Sequence, residues 1–394
     1  MKTILPKGFL AGGVTAGIKK NGQKDLGLIF SQVPAHVAAV FTKNTIKAAP
    51  VLLDKERIGR GVCRAIVVNS GNANCCTGHQ GIRDAKAMAA FVASGLDLSE
   101  ELVLVSSTGV IGESLQIDKI EAAVPGLIEL LSTEGVLNFA RSIMTTDTLP
   151  KVVTRQGQLD GQTFTVTGVA KGSGMIRPDM ATMLCFICTD AEVAPDLLQN
   201  ILFTETEQSF NRITVDGDTS TNDTVLIMAN GLSNLKIEHT EQKKYFQRML
   251  NEVMITLAKE LVKDGEGATK FIEIEVKGAE SDHDAHQIAD TVANSNLVKT
   301  AFFGEDANWG RIIAAVGRAG VPVEPAMIDI YFDGIMMVNR GLGCGKDAEI
   351  AVTNILKKNE FSISIDLHRG NYRATVFTCD LSVDYIKINA DYRS

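Results

Sequence analysis

Two short stretches of this 394-residue chain carry side chains that can do nucleophilic chemistry. The first is KGSGMIRPDMATML (171–184), where Thr182 stands between the small Ala181 and an apolar run. A threonine there has two readings. Its branched side chain suits a pleated strand; alternatively its hydroxyl is a nucleophile, reached through a glycine-bearing approach and Pro178, which restricts the backbone of Arg177. If the Ala181–Thr182 bond were cut, the new α-amine, with an ordinary pKa of about 7.7–8.0, would be partly neutral at pH 7 and could act as the base for its own hydroxyl. The same hydroxyl could make the cut by attacking the Ala181 carbonyl and passing the acyl group from nitrogen to oxygen before water releases it. The second stretch, SSTGVIG (106–112), follows the apolar run LVLV. It puts Thr108 and Gly109 on a sharp turn at a strand end, where a hydroxyl and a backbone N–H either hold an oxyanion or simply close a glycine turn.

Other clusters of reactive residues fail on spacing or setting. CFIC (185–188) has the CxxC pattern, but its flanks are strand-like and residues three apart in a strand point to opposite faces. HDAH (283–286) beside Asp282 lacks a third and fourth metal ligand and reads as a solvated polar loop. DGDTSTND (216–223) begins like a calcium loop, yet Thr221 stands where glycine is needed and Ile227 where a bidentate glutamate is needed. GLGCGKD (341–347) has the glycines of a phosphate loop without its spacing or the Ser or Thr after Lys346, and reads as a turn.

Alternating strand and helix patterns must position these residues. Strand-like runs fall at 26–30, 37–41, 65–70, 102–107, 151–154 and 164–170 in the first half, then at 182–191, 271–276, 328–334, 361–367 and 373–382. The last three are short and separated by glycine-bearing turns, which favours antiparallel pairing. Helical faces are formed by Ile82, Ala85, Met88, Ala89 and Val92, by Ile117, Ile120, Val124, Leu127, Ile128 and Leu131 despite Pro125, and by Phe246, Met249, Leu250, Val253, Met254, Leu257 and Leu261. The order predicts a mixed α/β body of sheets covered by helices.

A net charge of −8 and the lack of any lysine or arginine cluster argue against nucleic acid or an anionic membrane as partner. Seven scattered cysteines show no disulfide framework and read as reduced thiols of a cytoplasmic protein. The apolar stretch at the start is broken by Pro6 and Lys7, and no run of apolar residues is long enough to span a bilayer.

NSGNAN (69–74), SSTGVIG, KGSGMI, MATML, FNRITVDGDTSTNDT (210–224), DGEGATK (264–270), FGEDANWGRI (303–312) and NADYRS (389–394), in this order from about residue 8 to Ser394, resemble the glutamate N-acetyltransferase family, also called ornithine acetyltransferase. The resemblance implies a self-cleaving precursor whose chains, 1–181 and 182–394, stay together as one compact catalytic unit. It implies an α/β sandwich with stacked central sheets flanked by helices, like the N-terminal-nucleophile fold but with different connectivity. The implied reaction moves acetyl from N2-acetylornithine to glutamate through an acetyl-threonine in arginine biosynthesis, without cofactor or metal. Some members also take acetyl from acetyl-CoA. An (αβ)2 or larger assembly goes with the family.

Residue by residue, the resemblance makes Thr182 the nucleophile, Ala181–Thr182 the cleaved bond, and the Thr108 hydroxyl and Gly109 N–H the oxyanion hole. It assigns Thr148, Lys171, Thr182, Glu266, Asn389 and Ser394 to substrate contact. An α-amino-acid head needs both a carboxylate such as Glu266 and donors such as Lys171 or Asn389. Two departures stand out: Asp179 where asparagine is expected, three residues before the scissile bond, and Cys75 where a small residue such as alanine is expected. The competing readings are a self-processing aminopeptidase of the related fold, which has serine at the nucleophile position, and a non-catalytic amino-acid-binding homologue.

Overall fold

The computed structural model describes residues 4–177 and 183–390. The chain forms two compact units, one comprising Met1–Met175, Asp179–Asn211 and Asp218–Leu261, the other Ile176–Pro178, Arg212–Gly217 and Val262–Ser394.

The first unit is built on strands β1 (Phe9–Val14), β2 (Leu26–Phe41), β3 (Val62–Asn72), β4 (Val103–Val110), β5 (Lys151–Leu159), β6 (Gln162–Lys171), β7 (Leu184–Thr189) and β8 (Thr224–Ala229). They make one sheet in the order β4-β3-β2-β8-β7-β6-β5, with β1 on β2. The runs at 26–30 and 37–41 are one strand. Its register shifts between Phe30 and Ala35, and from His36 it also pairs with β8. Pro34 accounts for the break, because it has no N–H for the ladder. Cys185 and Cys188 fall on opposite faces of β7, where Leu184, Phe186 and Cys188 join one buried cluster.

Helices cover this sheet where their apolar stripes predict. Between β2 and β3 lies α1 (Ala49–Arg57); α2 (Gly78–Gly95) and α3 (Ile117–Glu129) pack through Ala85, Met88, Ala89, Val92, Ile120, Val124 and Leu127. On the other face α4 (Val136–Ser142) sets Phe139 edge-on to Phe186, with ring centroids 5.6 Å apart. After β7 comes α5 (Pro195–Gln208), and after β8 comes α6 (Thr240–Lys263). All seven stripe residues of α6 from Phe246 to Leu261 are buried. Each such side chain contributes about 1.5–3 kcal/mol relative to exposure. The helix sits so close to β6 that a Cβ on Gly168 would lie 2.8 Å from Val253 and Leu257 side-chain carbons. That contact fixes β6, and with it Lys171 at the strand's end.

In the second unit, β9 (Phe271–Ala279), β10 (Asp329–Phe332), β11 (Ile335–Asn339), β12 (Leu342–Gly343), β13 (Glu360–Asp366) and β14 (Tyr372–Cys379) form a sheet in the order β12-β11-β10-β13-β9-β14. Its helices are α7 (Asp282–Ala293), α8 (Asn296–Phe303), α9 (Trp309–Gly317), α10 (Lys346–Leu356) and α11 (Val383–Ala390).

Three expectations are corrected here. The late strands are not all antiparallel, since β13 runs parallel to β9 from Glu360↔Phe271 to Asp366↔Lys277. The intervening chain holds four helices, ample for the crossover that a parallel pair requires. HDAH is not a loop but the first turn of α7, where Ser281 Oγ caps the helix by accepting the Asp284 N–H at 3.1 Å. The stretch 341–347 is not a turn throughout: it contributes β12 and the start of α10. Among the described residues, no helix is long and apolar enough to cross a membrane.

Candidate active site

Thr108 and Gly109 lie near the end of β4, which pairs in parallel with β3. The register slips at Gly71 and Asn72, so that Asn72 faces both Thr108 and Val110. This irregularity turns the strand end. Gly109 has φ of +133°, and a Cβ there would sit 2.3 Å from the carbonyl carbon of Gly71, so only glycine fits. The NSGNAN segment locks the turn. Asn69 Nδ2 donates to Asn72 O at 2.9 Å, Ser107 Oγ donates to Asn69 Oδ1 at 2.6 Å, and Asn72 Nδ2 donates to Glu113 O and Ser114 O at 3.2 and 3.1 Å.

Lys171 is buried, and its Nζ donates to Thr108 Oγ1 at 3.2 Å and to Thr145 Oγ1 at 2.9 Å. A hydroxyl has one proton and two lone pairs. With a lone pair of Thr108 taken by an ammonium, its proton is left to point at another acceptor. Asp147 anchors the loop that carries Thr145 and Thr148: its carboxylate accepts from Thr145 N at 3.0 Å, Gly172 N at 2.6 Å and Lys151 Nζ at 2.8 Å. Burial alone would raise this carboxyl, but Lys171, Lys151 and the hydrogen bonds outweigh it and hold the pKa at about 2. Thr148 lies exposed in the same loop.

A second lysine belongs to this cluster. Lys19 Nζ donates to Met144 O at 2.7 Å and to Lys24 O at 2.9 Å, and its stem packs where Gly71 lacks a side chain. Burial brings it down to about 8, with Lys171 acting the same way and Asp25 and Asp147 against it. Asp25 is buried and holds the Lys19 loop by accepting the N–H groups of Ala16, Gly17, Ile18 and Lys19 at 2.6 to 3.1 Å.

In the second unit Asn389 Nδ2 donates to Glu266 Oε2 at 2.8 Å. The first turn of α11 packs on Gly267, where a Cβ would meet Tyr385 N at 2.4 Å, and Tyr385 Oη donates to Asp216 Oδ2 at 3.2 Å. The two chemistry-bearing residues are therefore brought together by one loop and one helix.

A model of the ArgJ family matches residues 10–394. The chain belongs to the ArgJ family. The arginine biosynthesis bifunctional protein ArgJ of Geobacter sulfurreducens is 54% identical over 390 residues, covering 98% of this chain and 99% of the relative. The protein of the same description from Syntrophotalea carbinolica is 51% identical over 389 residues, with 98% and 99% covered. Among solved structures, an arginine biosynthesis bifunctional protein argJ from Bacillus halodurans is 43% identical with a TM-score of 0.50, covering 52% of this chain and 97% of its own.

For this ArgJ-family chain, the structure unites Thr108, Gly109 and Lys171 in the first unit and Glu266 with Asn389 in the second. Ala181, Thr182 and Ser394, with Asp179, lie outside the described residues. Reading by sequence missed Lys19, Asp25, Asp147, Asn222 and Asp223. Asn222 and Asp223 sit in a family motif already quoted; the other three carry no local signal. Among the described residues, no group of three or more His, Cys, Asp or Glu is placed to hold a metal. None of the seven cysteines forms a disulfide.

Two outcomes are expected. If the Gly109 N–H donates to an oxyanion, Gly109→Ala should lower kcat by about 100-fold or more; wild-type kcat in this variant would remove Gly109 from the site. Asp147→Asn should cost about 2 kcal/mol of stability at pH 7. Because the folded pKa is depressed, that contribution is present above the ordinary carboxylate range and lost as pH falls from about 4 to about 2. Urea midpoints of the two proteins should accordingly converge over that window, and a constant gap would contradict the assignment.

Proposed function

We propose that this chain is an ornithine acetyltransferase that moves the acetyl group of N2-acetylornithine to glutamate in arginine biosynthesis, with Thr182 as nucleophile. Membership of the ArgJ family supports the reading. The observation that carries it is the primed donor pair at the end of β4: the Thr108 hydroxyl backed by Lys171 Nζ at 3.2 Å, beside a Gly109 peptide turned to a φ of +133°.

Maturation comes first. Thr182 Oγ attacks the Ala181 carbonyl carbon, the C–N bond breaks as the acyl group moves to oxygen, and water hydrolyses the ester to leave a free α-amine on Thr182. Residues 1–181 and 182–394 then remain associated, because both supply strands to the eight-stranded sheet. In support, β6 pairs with β7 over Val166↔Thr189 to Lys171↔Leu184, and β2 pairs with β8 over His36↔Ala229 to Phe41↔Thr224. The Bacillus halodurans chain, which matches over 97% of its own length but 52% of this one, has the size of one product of such a cut.

In transfer, Thr182 Oγ attacks the acetyl carbon and gives its proton to the α-amine. Thr108 Oγ1–H and Gly109 N–H hold the developing oxyanion, with one such donor worth about 3–4 kcal/mol. Ornithine leaves with the proton, and the amine of glutamate attacks the acetyl-threonine and passes its own proton back. Glutamate must outcompete water, so orientation of the acceptor carries the specificity. Lys171, Thr148, Glu266, Asn389 and Ser394 supply the substrate contacts. The reaction so drawn needs no cofactor, acetyl-CoA being an alternative acetyl donor. Chemistry on free amino acids and unpaired thiols fit a cytoplasmic (αβ)2 enzyme.

Intact mass under denaturing conditions should show two chains, one beginning with Thr182. Thr182→Ala should stay uncut and lose transfer; a variant of full activity would refute the nucleophile. Deleting Ser394 should raise KM for ornithine substrates severalfold, and unchanged kinetics would remove the chain end from the site.

A further inference from the structure

Asn222 and Asp223 close the loop leading into β8, and both are buried. The side-chain amide of Asn222 spends both protons on backbone carbonyls, Ala73 O at 2.7 Å and Ser107 O at 2.8 Å. Its Oδ1 accepts from Thr221 Oγ1 at 2.7 Å and its own N–H donates to Ser220 Oγ at 3.0 Å, so the amide is held from every side. The Ser107 carbonyl belongs to the peptide group that precedes Thr108. Next along the chain, Asp223 Oδ1 accepts the Met183 N–H at 3.0 Å. That N–H belongs to the peptide group that follows Thr182. Backbone bonds hold the same frame: Thr224 N donates to Met183 O at 3.2 Å and Thr42 N to Asp223 O at 3.0 Å.

We infer that Asn222 and Asp223 are the positioning pair of the acetyl transfer, one residue gripping the peptide before Thr108 and its neighbour the peptide after Thr182. The inference rests on the reading of Thr182 as nucleophile. Consecutive Cα atoms are about 3.8 Å apart across a trans peptide, a spacing that does not stretch. The Ser107 carbonyl and the Met183 N–H, tied to adjacent points of one backbone, therefore keep their separation. Such control matters because a misplacement of about 1 Å costs about 100-fold in rate. The chain accepts a cost to place Asp223 here. Among the described residues its Oδ2 is buried with no hydrogen-bond partner, and burial pushes the carboxyl well above its usual range against the pull of the Met183 N–H, Ser220, Lys171 and Thr42. A hydrophobic residue would avoid that cost but could not hold the Met183 N–H.

The test compares Asn222→Ala, Asp223→Ala and Asp223→Asn in the full-length chain, by intact mass, steady-state kinetics and thermal melting. Both alanine variants should accumulate uncut chain, and their processed fraction should show kcat about 100-fold down with KM for N2-acetylornithine within about threefold. Asp223→Asn keeps an acceptor oxygen for the Met183 N–H and should recover most of the processing and kcat that Asp223→Ala loses. If Asn222→Ala does not fold, Asn222→Ser retains one donor and should turn over at about a tenth of the wild-type rate. Alanine variants that melt lower but are cut and turn over like wild type would overturn the inference. Wild type that is neither cut nor active would instead defeat the reading of Thr182; wild type that is cut and active beside indifferent variants defeats only the positioning pair.

Discussion

Peptide groups at the ends of β3, β4 and β7, at Asn72, Ser107 and Met183, are buried, and a buried peptide left without a partner costs about 1–3 kcal/mol. In the middle of a sheet the ladder satisfies them, but at these ends the ladder stops and the register slips. Side chains have to take over. Asn69, Asn72 and Asn222 bond the carbonyls of Asn72, Glu113, Ser114, Ala73 and Ser107, and Asp223 bonds the N–H of Met183. The polar residues around Thr108 thus answer to the fold first. Satisfying the strand ends is also what leaves the Thr108–Gly109 turn rigid.

Charge is arranged under the same constraint. Lys171, Lys151 and Lys19 approach a single loop, and an uncompensated buried ammonium is strongly disfavoured. Asp147 neutralises part of this charge and in doing so is held at about 2, while burial brings Lys19 down to about 8 against the pull of Asp25. The lysines at this strand end are thus matched by Asp147 and Asp25. In the second unit the Glu266 carboxylate is met by the Asn389 amide.

Much of this was open to reading along the chain. The stripe of α6 and the faces of α2 and α3 follow from apolar spacing, and Pro125 did not stop α3 because its packing through Ile120, Val124 and Leu127 outweighs one lost hydrogen bond. The start of α7 was hidden because its first turn is polar, the core-facing residues Ala285, Ile288, Ala289, Val292 and Ala293 lying beyond it. The signal was present in Ser281 and Asp284, a capping pattern ahead of that apolar face. Parallel pairing of β13 with β9 had no local signal at all.

By itself the amino-acid sequence determined the α/β class, the glycine at 109, the threonines at 108 and 182 and the family to which the chain belongs, because strand alternation, turn chemistry and motif identity act over a few residues. Only the tertiary structure decided which groups Thr108 answers to. Lys171 is 63 residues from Thr108, and Asn222 reaches carbonyls 115 and 149 residues away. Partners at such separations are selected by burial, which forces every strand-end peptide and every buried charge to be matched by whatever side chain the fold brings within hydrogen-bonding distance.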